Sequence, residues 1–294
     1  MALRHRLDRL RRRRPGDRLA VAQARPAWSR YKSALASDVY MPNVAQWLAL
    51  LAATLYLAGV WRTRHAGKPW SLWRSASFVV GTITLAVAFA APVNAFAHHD
   101  LRGHMLQHLL VGMFAPLGLV FGAPMSLLLR NLAPARARAT VTLLGSMPVR
   151  IVSHPLSAAL LDIGGMYLLY LTPLYTQSIA TPWLHHVIHL HFVISGCLFS
   201  WAIAGPDPAP HRPRWRTRLG VLILAIATHA TLGKLMYAWL LPAGTGASPG
   251  EIQAAAQWMY YGGDLAELLL LVALMQQWLR ERQRAARGKP LPAG

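Results

Sequence analysis

Seven apolar stretches, each near twenty residues long, constrain this chain more than any other feature of its sequence. A helix needs about 20 predominantly apolar residues to cross the hydrocarbon core of a bilayer. The stretches show no alternation of period two, so helices rather than strands would satisfy the backbone inside the membrane. The sequence therefore predicts an all-α, polytopic membrane bundle of seven transmembrane helices. The predicted spans are residues 44–61, 75–97, 104–129, 156–173, 183–204, 219–240 and 256–279.

The connections between these spans are too short for a separate soluble domain. The longest of them, residues 130–155, has 26 residues. We expect residues 44–280 to form the seven-helix transmembrane domain and residues 281–294 to form a basic cytoplasmic tail. Residues 1–43 contain eleven Lys and Arg, and we expect them to form a basic disordered tail. Two explanations would account for the conflict between this tail and the topology below: the other six spans dominate the orientation of the first, or the reading frame is over-extended and Met41 is the true start.

The net charge of +20 is distributed in a way that is typical of membrane topology rather than of nucleic-acid binding. After residue 43, seventeen Lys and Arg lie in alternate connections and in the C-terminal tail, whereas the other three connections contain Arg102 alone. Positive residues accumulate on the cytoplasmic side of a membrane protein. We therefore expect the N-terminus outside and the C-terminus in the cytoplasm. The expected location is the plasma membrane, with the lipid bilayer as a partner and no nucleic acid.

Five histidines lie in two clusters at the starts of spans three and five. His104 and His108 belong to the motif HMLQH, and His185, His186 and His189 belong to HHVIH. Residues three or four apart share a helix face, and ionisable residues inside a membrane persist where they line a cavity, pair with one another or hold an ion. Spans three and five both run inward in the expected topology. The two clusters therefore fall at one depth and predict a metal or haem site.

A sixth histidine and several accessory groups lie in the same half of the membrane. His229 lies on span six, about 11 residues, or roughly 16 Å, inward of its outer end. Imidazole binds copper, zinc, iron or nickel, and thioether adds a preference for Cu(I). Methionines are commonly core filler, however, and the carboxylates could instead pair with Lys234. The accessory candidates are Met105, Met236, Met259, Asp264 and Glu267.

No enzyme motif accompanies the histidines. The chain lacks HExxH, GxSxG and a glycine-rich phosphate loop, and its single cysteine, Cys197, excludes an internal disulfide. We therefore expect a non-enzymatic protein. Two alternatives stay open at this point: a membrane redox protein with haem b between His108 and His189, and a copper transport or resistance protein. Transport requires a continuous polar path, and the inner halves of the spans look apolar.

Several longer motifs resemble one family. The chain is similar to the multi-spanning CtaG family of cytochrome c oxidase (caa-type) assembly factors over about residues 44–280. The motifs in combination are specific to this family, whereas HMLQH alone is not. They are HMLQHLL, APLGLVFGAPMSLLLRNLAP (115–134), SHP (153–155), TPLY (172–175), HHVIHLHFVISGCLFSWAIAGPDP (185–208), HATLGKLMY (229–237) and QWMYYGGDLAELLL (257–270).

The resemblance implies a plasma-membrane protein that helps a haem–copper oxidase mature by assisting copper delivery to its catalytic subunit. The implied partners are the oxidase subunits and an extracytoplasmic copper donor. One position departs from the family, because some members carry a His just before the Thr/Leu-Pro of span four, where this chain has Tyr170. If that His is a ligand in relatives, the site here is smaller or differently built. The implied copper ligands, holding Cu(I) transiently, are His104, His108, His185, His186, His189 and His229.

Overall fold

The computed structural model describes residues 44–209 and 211–287, and every regular element in those ranges is a helix. Five helices are long and apolar enough to cross a membrane, and the number rises to seven when each of two bent helix pairs counts as one span. The all-helical, multi-pass character of the prediction is thus confirmed. The number of seven and the direction of the spans remain predictions. The predicted tail at residues 1–43 lies outside the described residues.

The helices follow one another through short turns. A π-helical segment, Leu110–Phe114, joins the helix Leu101–Leu109 to the helix Ala115–Phe121, so that Leu101–Phe121 is one membrane-length helix. The last helix continues to Arg287, beyond the predicted end of span seven. In chain order the helices are α1 (Val44–His65), α2 (Leu72–Ala88), α3 (Ala91–His99), α4 (Leu101–Leu109), α5 (Ala115–Phe121), α6 (Pro124–Asn131), α7 (Pro134–Leu144), α8 (Met147–Val152), α9 (Pro155–Leu171), α10 (Leu174–Ala180), α11 (Pro182–Ala204), α12 (Trp215–Trp239) and α13 (Pro249–Arg287).

Two of the candidate spans are bent where the helical hydrogen bonding is interrupted. The axes of α2 and α3 differ by 51°, and those of α9 and α10 differ by 80°. Pro173 lies at the second break, because a proline cannot continue the interior of a helix. At the first break, the side-chain amide of Gln107 donates to the carbonyl oxygen of Ala88 at 2.9 Å. The HMLQH motif therefore also satisfies a backbone group that the bend leaves without a helical partner.

The third predicted span is interrupted near its end. Ala123 takes the left-handed conformation, with a φ of 54°, and separates α5 from α6. The carboxylate of Asp207 accepts hydrogen bonds from the backbone N–H groups of Met125 and Ser126, at 3.0 and 2.7 Å. This side chain, more than 80 residues away in the sequence, stabilises a new helix start. The prediction of one continuous span over residues 104–129 is therefore wrong in its last part.

The two helices that carry the histidine clusters come into backbone contact. Gly112 lies in the π-helical segment and Gly196 lies on α11. A Cβ added to Gly196 would overlap the carbonyl oxygen of Gly112. Small residues allow this close approach of membrane helices. The contact sets how far apart the two helices lie, and therefore how far apart their histidines lie.

One end of the bundle, here called the histidine end, is where α3 ends and α4, α11 and α13 begin. Two carboxylates fasten these helix ends together. Glu251 Oε1 accepts a hydrogen bond from the backbone N–H of Leu101 at 2.9 Å, and Asp100 caps the start of α4. The guanidinium of Arg102 donates to the Asp100 carboxylate and lowers the pKa of that carboxyl. Asp100 is therefore anionic at neutral pH and compensated by Arg102.

Candidate functional site

Four of the predicted histidines line one small cavity, here called the four-histidine pocket. His104 and His108 come from successive turns of α4, and His185 and His189 come from successive turns of α11. The cavity has a volume of about 10 Å³, which is close to the space that one water molecule or one small ion occupies. Both predicted clusters thus contribute to one cavity, while their common depth in a membrane stays a prediction.

Helix α9 supplies two further groups that contact these histidines. The Nε2 atom of His108 lies 3.2 Å from the Sδ atom of Met166. The hydroxyl of Tyr170 lies 3.3 Å from the Nε2 atom of His104. Met166 and Tyr170 are four residues apart, so they share a face of α9. That face places a thioether and a phenol hydroxyl beside the two imidazoles of α4.

Aromatic rings enclose the four-histidine pocket on several sides. The Tyr175 ring lies 4.8 Å from the His104 ring, and the Phe192 ring lies 4.8 Å from the His108 ring, between centroids. The Phe89 ring lies 5.3 Å from that of His189. Apolar walls of this kind limit the access of water to a site. A group bound in the pocket would therefore interact mainly with imidazole nitrogen, and the Met166 sulfur lies against His108.

The imidazoles line the pocket without converging on a single point. Within residues 44–209 and 211–287, no three His, Cys, Asp or Glu side chains are already arranged to hold a metal ion. The centroids of His185 and His189 lie 4.3 Å apart, with nearly perpendicular ring planes. Holding an ion therefore requires the rings to rotate about their side-chain bonds toward the cavity.

A larger cavity, here called the vestibule, adjoins the pocket at the histidine end. Its volume is about 1180 Å³. His104, His185 and His189 line both cavities, so the same three imidazoles border the vestibule and the four-histidine pocket. Its wall also contains apolar residues of α1, such as Leu48. The other polar and ionisable residues that line it include Asn94, His98, His99, Asp100, His186 and Glu251.

Two histidines of α11 lie away from the pocket. His186 is exposed and lines the vestibule, because it is displaced by about 100° around the helix from its neighbour at 185. His191 was expected to point away from the cluster, and its Nε2 atom lies 3.0 Å from the carbonyl oxygen of Leu161 on α9. Of the predicted histidines on α11, His185 and His189 line the four-histidine pocket, whereas His186 lines only the vestibule.

His229 lies in a separate group of buried side chains, here called the acid–histidine cluster, which consists of Asp162, Ser195, His229 and Glu267. The Nδ1 atom of His229 lies 3.7 Å from Oε1 of Glu267. The hydroxyl of Ser195 donates to Asp162 Oδ1 at 2.9 Å, and Asp162 is within electrostatic reach of His229 and Glu267. All four are buried. Buried polar side chains therefore occur in the bundle outside the four-histidine pocket as well.

The glycine pair on α13 explains how His229 fits there. A Cβ added at Gly263 would overlap the imidazole of His229, and a Cβ added at Gly262 would overlap the side chain of Leu109. These contacts agree with the general role of glycine in close helix packing. Gly263 leaves room for the imidazole of His229 between α12 and α13.

The predicted accessory ligands do not line either cavity. Met105, Met236 and Met259 are fully buried in the apolar core, and Asp264 is half-buried on α13. Lys234 is exposed, with its Nζ atom 5.7 Å from the centroid of the Tyr260 ring. Among the described residues, no ion pair joins Lys234 to Asp264 or Glu267. The fifth candidate, Glu267, belongs to the acid–histidine cluster.

Three groups near the histidines were not among the predicted site residues: Met166, Asp162 and His98. Met166 and Asp162 are four residues apart on α9, and this spacing was the only sign in the sequence that they share a face. His98 lies at the end of α3 and lines the vestibule. No spacing rule within one helix connects these residues to HMLQH or HHVIH, because the contacts are between helices.

The pocket does not have room for a haem between His108 and His189. Both residues line the cavity of about 10 Å³, whereas sites for organic ligands of drug size are typically about 300–1,000 Å³. In the described conformation a porphyrin ring does not fit between these two imidazoles. The arrangement suits a single small ion better.

Comparisons with known proteins agree on one family. The family described as "Cytochrome c oxidase caa3 assembly factor" matches residues 54–281. An uncharacterized protein of Mycobacterium leprae is 29% identical over a 261-residue alignment, and the match covers 81% of this chain and 39% of that protein. Uncharacterized proteins of Mycobacterium bovis and Mycobacterium tuberculosis are each 31% identical over a 252-residue alignment, and the match covers 79% of this chain and 38% of those proteins.

The chain thus spans about two fifths of the length of the curated relatives it matches. No solved structure matches it significantly.

Proposed function

The chain belongs to the cytochrome c oxidase caa3 assembly factor family, and we propose that it assists oxidase maturation by holding copper as cargo in the four-histidine pocket. Membership in an assembly-factor family supports a non-catalytic role. The proposed cargo is Cu(I), and the proposed recipient is the catalytic subunit of a haem–copper oxidase. The single observation that supports the copper-binding part most strongly is the ion-sized cavity shared by four imidazoles.

The donor atoms around the pocket favour a soft cation. Imidazole is a ligand for copper, zinc, iron and nickel, and a thioether shifts the preference toward Cu(I). The pocket offers the imidazoles of His104, His108 and His189 together with the nearby sulfur of Met166. The Tyr170 hydroxyl orients His104 through its contact with Nε2, as outer-shell groups do in metal sites. No carboxylate of residues 44–209 or 211–287 lines the pocket. Its neutral donors therefore suit a soft ion of low charge.

The same features suit temporary holding rather than permanent storage. A structural metal site is usually a closed shell of four ligands, whereas here the histidines must rotate to coordinate the ion. The vestibule adjoins the pocket and provides a route for the cargo to leave. Release to a partner would then require rotation of side chains rather than unfolding of a helix.

We propose that the histidine end faces the extracytoplasmic side of the plasma membrane. The distribution of Lys and Arg supports this orientation, because the basic connections follow α1, α6 and α11 at the opposite end from the vestibule. Copper would then reach the vestibule from an extracytoplasmic donor. It would pass from the pocket to an oxidase subunit that contacts this protein in the membrane.

The test is copper analysis of the purified full chain beside two variants. Wild-type protein should retain about one copper per chain, because the pocket has room for about one small ion. The His108→Ala/His189→Ala variant should retain almost none. The matched control, His191→Ala, should retain the wild-type amount, because its imidazole contacts Leu161 instead.

The same cells should be used to measure the copper content of the oxidase. We expect it to fall with the double variant and to stay unchanged with His191→Ala. Equal copper in the purified double variant and the control would reject the pocket as the binding site. Normal oxidase copper beside an empty double variant would reject delivery as the function.

A copper transport function is the second candidate, and the acid–histidine cluster is the observation that favours it. Its buried polar groups extend the polar interior beyond the four-histidine pocket, from His108 toward Asp162 and Glu267. Copper uptake into sealed vesicles that contain the purified protein distinguishes the two functions. Uptake above the level of empty vesicles would support transport, whereas binding without uptake would support delivery.

A further inference from the structure

The histidines at the vestibule form a continuous line from the surface to the buried pocket. The ring of His98 lies 5.6 Å from that of His185, and the ring of His185 lies 4.3 Å from that of His189, between centroids. His98 is exposed, His185 is half-buried and His189 is buried. His98 comes from α3, so the line begins on a helix that carries neither of the two histidine motifs.

We propose that His98 and His185 form a loading station that first captures Cu(I) and passes it to the four-histidine pocket. This inference rests on the proposed copper-holding function and adds a ligand and a direction of transfer to it. His185 belongs to both places, because it lines the vestibule and the pocket. The ion therefore moves inward by exchanging one ligand at a time.

The distance between the two rings suits one ion held between them. Bonds from metal to imidazole nitrogen are about 2.0–2.1 Å, which places two ligating nitrogens on opposite sides of an ion about 4 Å apart and the ring centres about 6 Å apart. The separation of 5.6 Å between His98 and His185 is close to that value.

The exposure of the residues gives the transfer its direction. At His98 a bound ion is accessible to water and to a donor, and at His189 it is surrounded by protein. The inner position offers more donors, because His104, His108 and Met166 lie around the same pocket. An ion at the loading station has two imidazoles, so it binds there more weakly and exchanges inward.

The test measures how fast copper is loaded and how much is finally bound, with Cu(I) supplied from a chromogenic Cu(I) chelator to the purified full chain. We expect His98→Gln to slow loading by about tenfold, within the range over which association rates of related variants differ. The final amount of copper per chain should stay at the wild-type value. Because His98 is exposed, this substitution should leave the fold intact, and an unchanged thermal unfolding curve would establish that.

His99→Gln is the matched control. His99 is the neighbouring residue on α3 and is also exposed, and among the described residues its ring makes no contact with another histidine ring. We expect its loading rate to equal that of the wild type. Equal rates for His98→Gln and wild type would overturn the loading station, as would equal slowing by both glutamine variants.

Two other results separate this inference from the function on which it rests. If wild-type protein takes up no Cu(I), the proposed function itself fails. If wild type binds copper but His98→Gln lowers the final amount as far as His108→Ala does, His98 is a ligand of the holding site, and the idea of a separate first station is wrong.

Discussion

The four-histidine pocket and the acid–histidine cluster are both buried and both assembled from several helices, but they offer different chemistry. The pocket presents imidazoles around a space of ionic size, and the Met166 thioether contacts one of them, His108. The cluster presents the carboxylates of Asp162 and Glu267 beside His229. In the described part of the chain, neither ring nitrogen of His229 has a hydrogen-bond partner. The first region suits a soft cation, whereas the second brings two carboxyl groups close to one imidazole.

Removing one histidine from each region tests most directly whether the two regions are separate sites. His108→Ala should abolish copper retention, because it removes a donor from the pocket and also the partner of Met166. His229→Ala should retain copper at the wild-type level. Copper per chain is measured on the purified proteins. Equal loss in both variants would mean that the two regions act as one site with His229 as a ligand, as the family resemblance implies.

Removing the hydroxyl from Tyr170 should have the next largest effect. Tyr170→Phe leaves His104 without the contact at Nε2, and loss of such an outer-shell partner typically lowers metal affinity about 10–100-fold. The affinity is measured by competition with a Cu(I) chelator. Tyr167→Phe is the matched control, because the Tyr167 hydroxyl donates to the carbonyl oxygen of Thr228 instead. A loss shared by both variants would contradict a specific role for Tyr170.

A methyl group placed against His229 tests whether the acid–histidine cluster is mainly structural. Gly263→Ala forces the imidazole of His229 to move, and overpacking of this kind costs about 1–3 kcal/mol of stability. We expect a lower free energy of unfolding with copper retention unchanged. Gly164→Ala is the control, because its added Cβ would meet only Leu160, at 3.4 Å. A stable Gly263→Ala protein that has lost copper would connect the cluster to the pocket.

The smallest expected effect concerns the choice of metal. Met166→Leu keeps nearly the same volume, which cores tolerate well, but removes the sulfur beside His108. The affinity for Cu(I) should fall while that for Zn(II) stays the same, because thioether selects the softer ion. Competition titrations with both metals measure this. Met105→Leu, a substitution in the apolar core, should change neither, and a parallel fall for both metals at position 166 would contradict a role for sulfur.

The sequence predicts most reliably what a single helix determines. The spacing of HMLQH and HHVIH correctly places His104 beside His108 and His185 beside His189, because four residues make about one turn. The same rule also groups His186 with His189, three residues away, but His186 lines only the vestibule. Apolar length predicts the helical, multi-pass fold, because the bilayer requires it.

Contacts between helices could not be predicted in this way. The depth of His229 follows from counting residues along span six, but the direction in which its ring points depends on how α12 packs against Gly263. Met166 lies in an apolar span where nothing distinguishes it from the core methionines. The break after α5 depends on Asp207, a residue in a loop far along the chain. Each of these features requires knowledge of which helices are neighbours.

The close approach of Gly112 and Gly196 has a mechanical consequence. Gly112 is one turn from His108, and Gly196 is two turns, or about 10 Å, from His189. The contact is therefore a pivot point, and the histidines of both helices lie on the same side of it. A small change in the crossing angle between α11 and the π-helical segment would widen or narrow the gap between the imidazole pairs. A protein gripping the opposite ends of these helices could release a bound ion while touching none of its ligands.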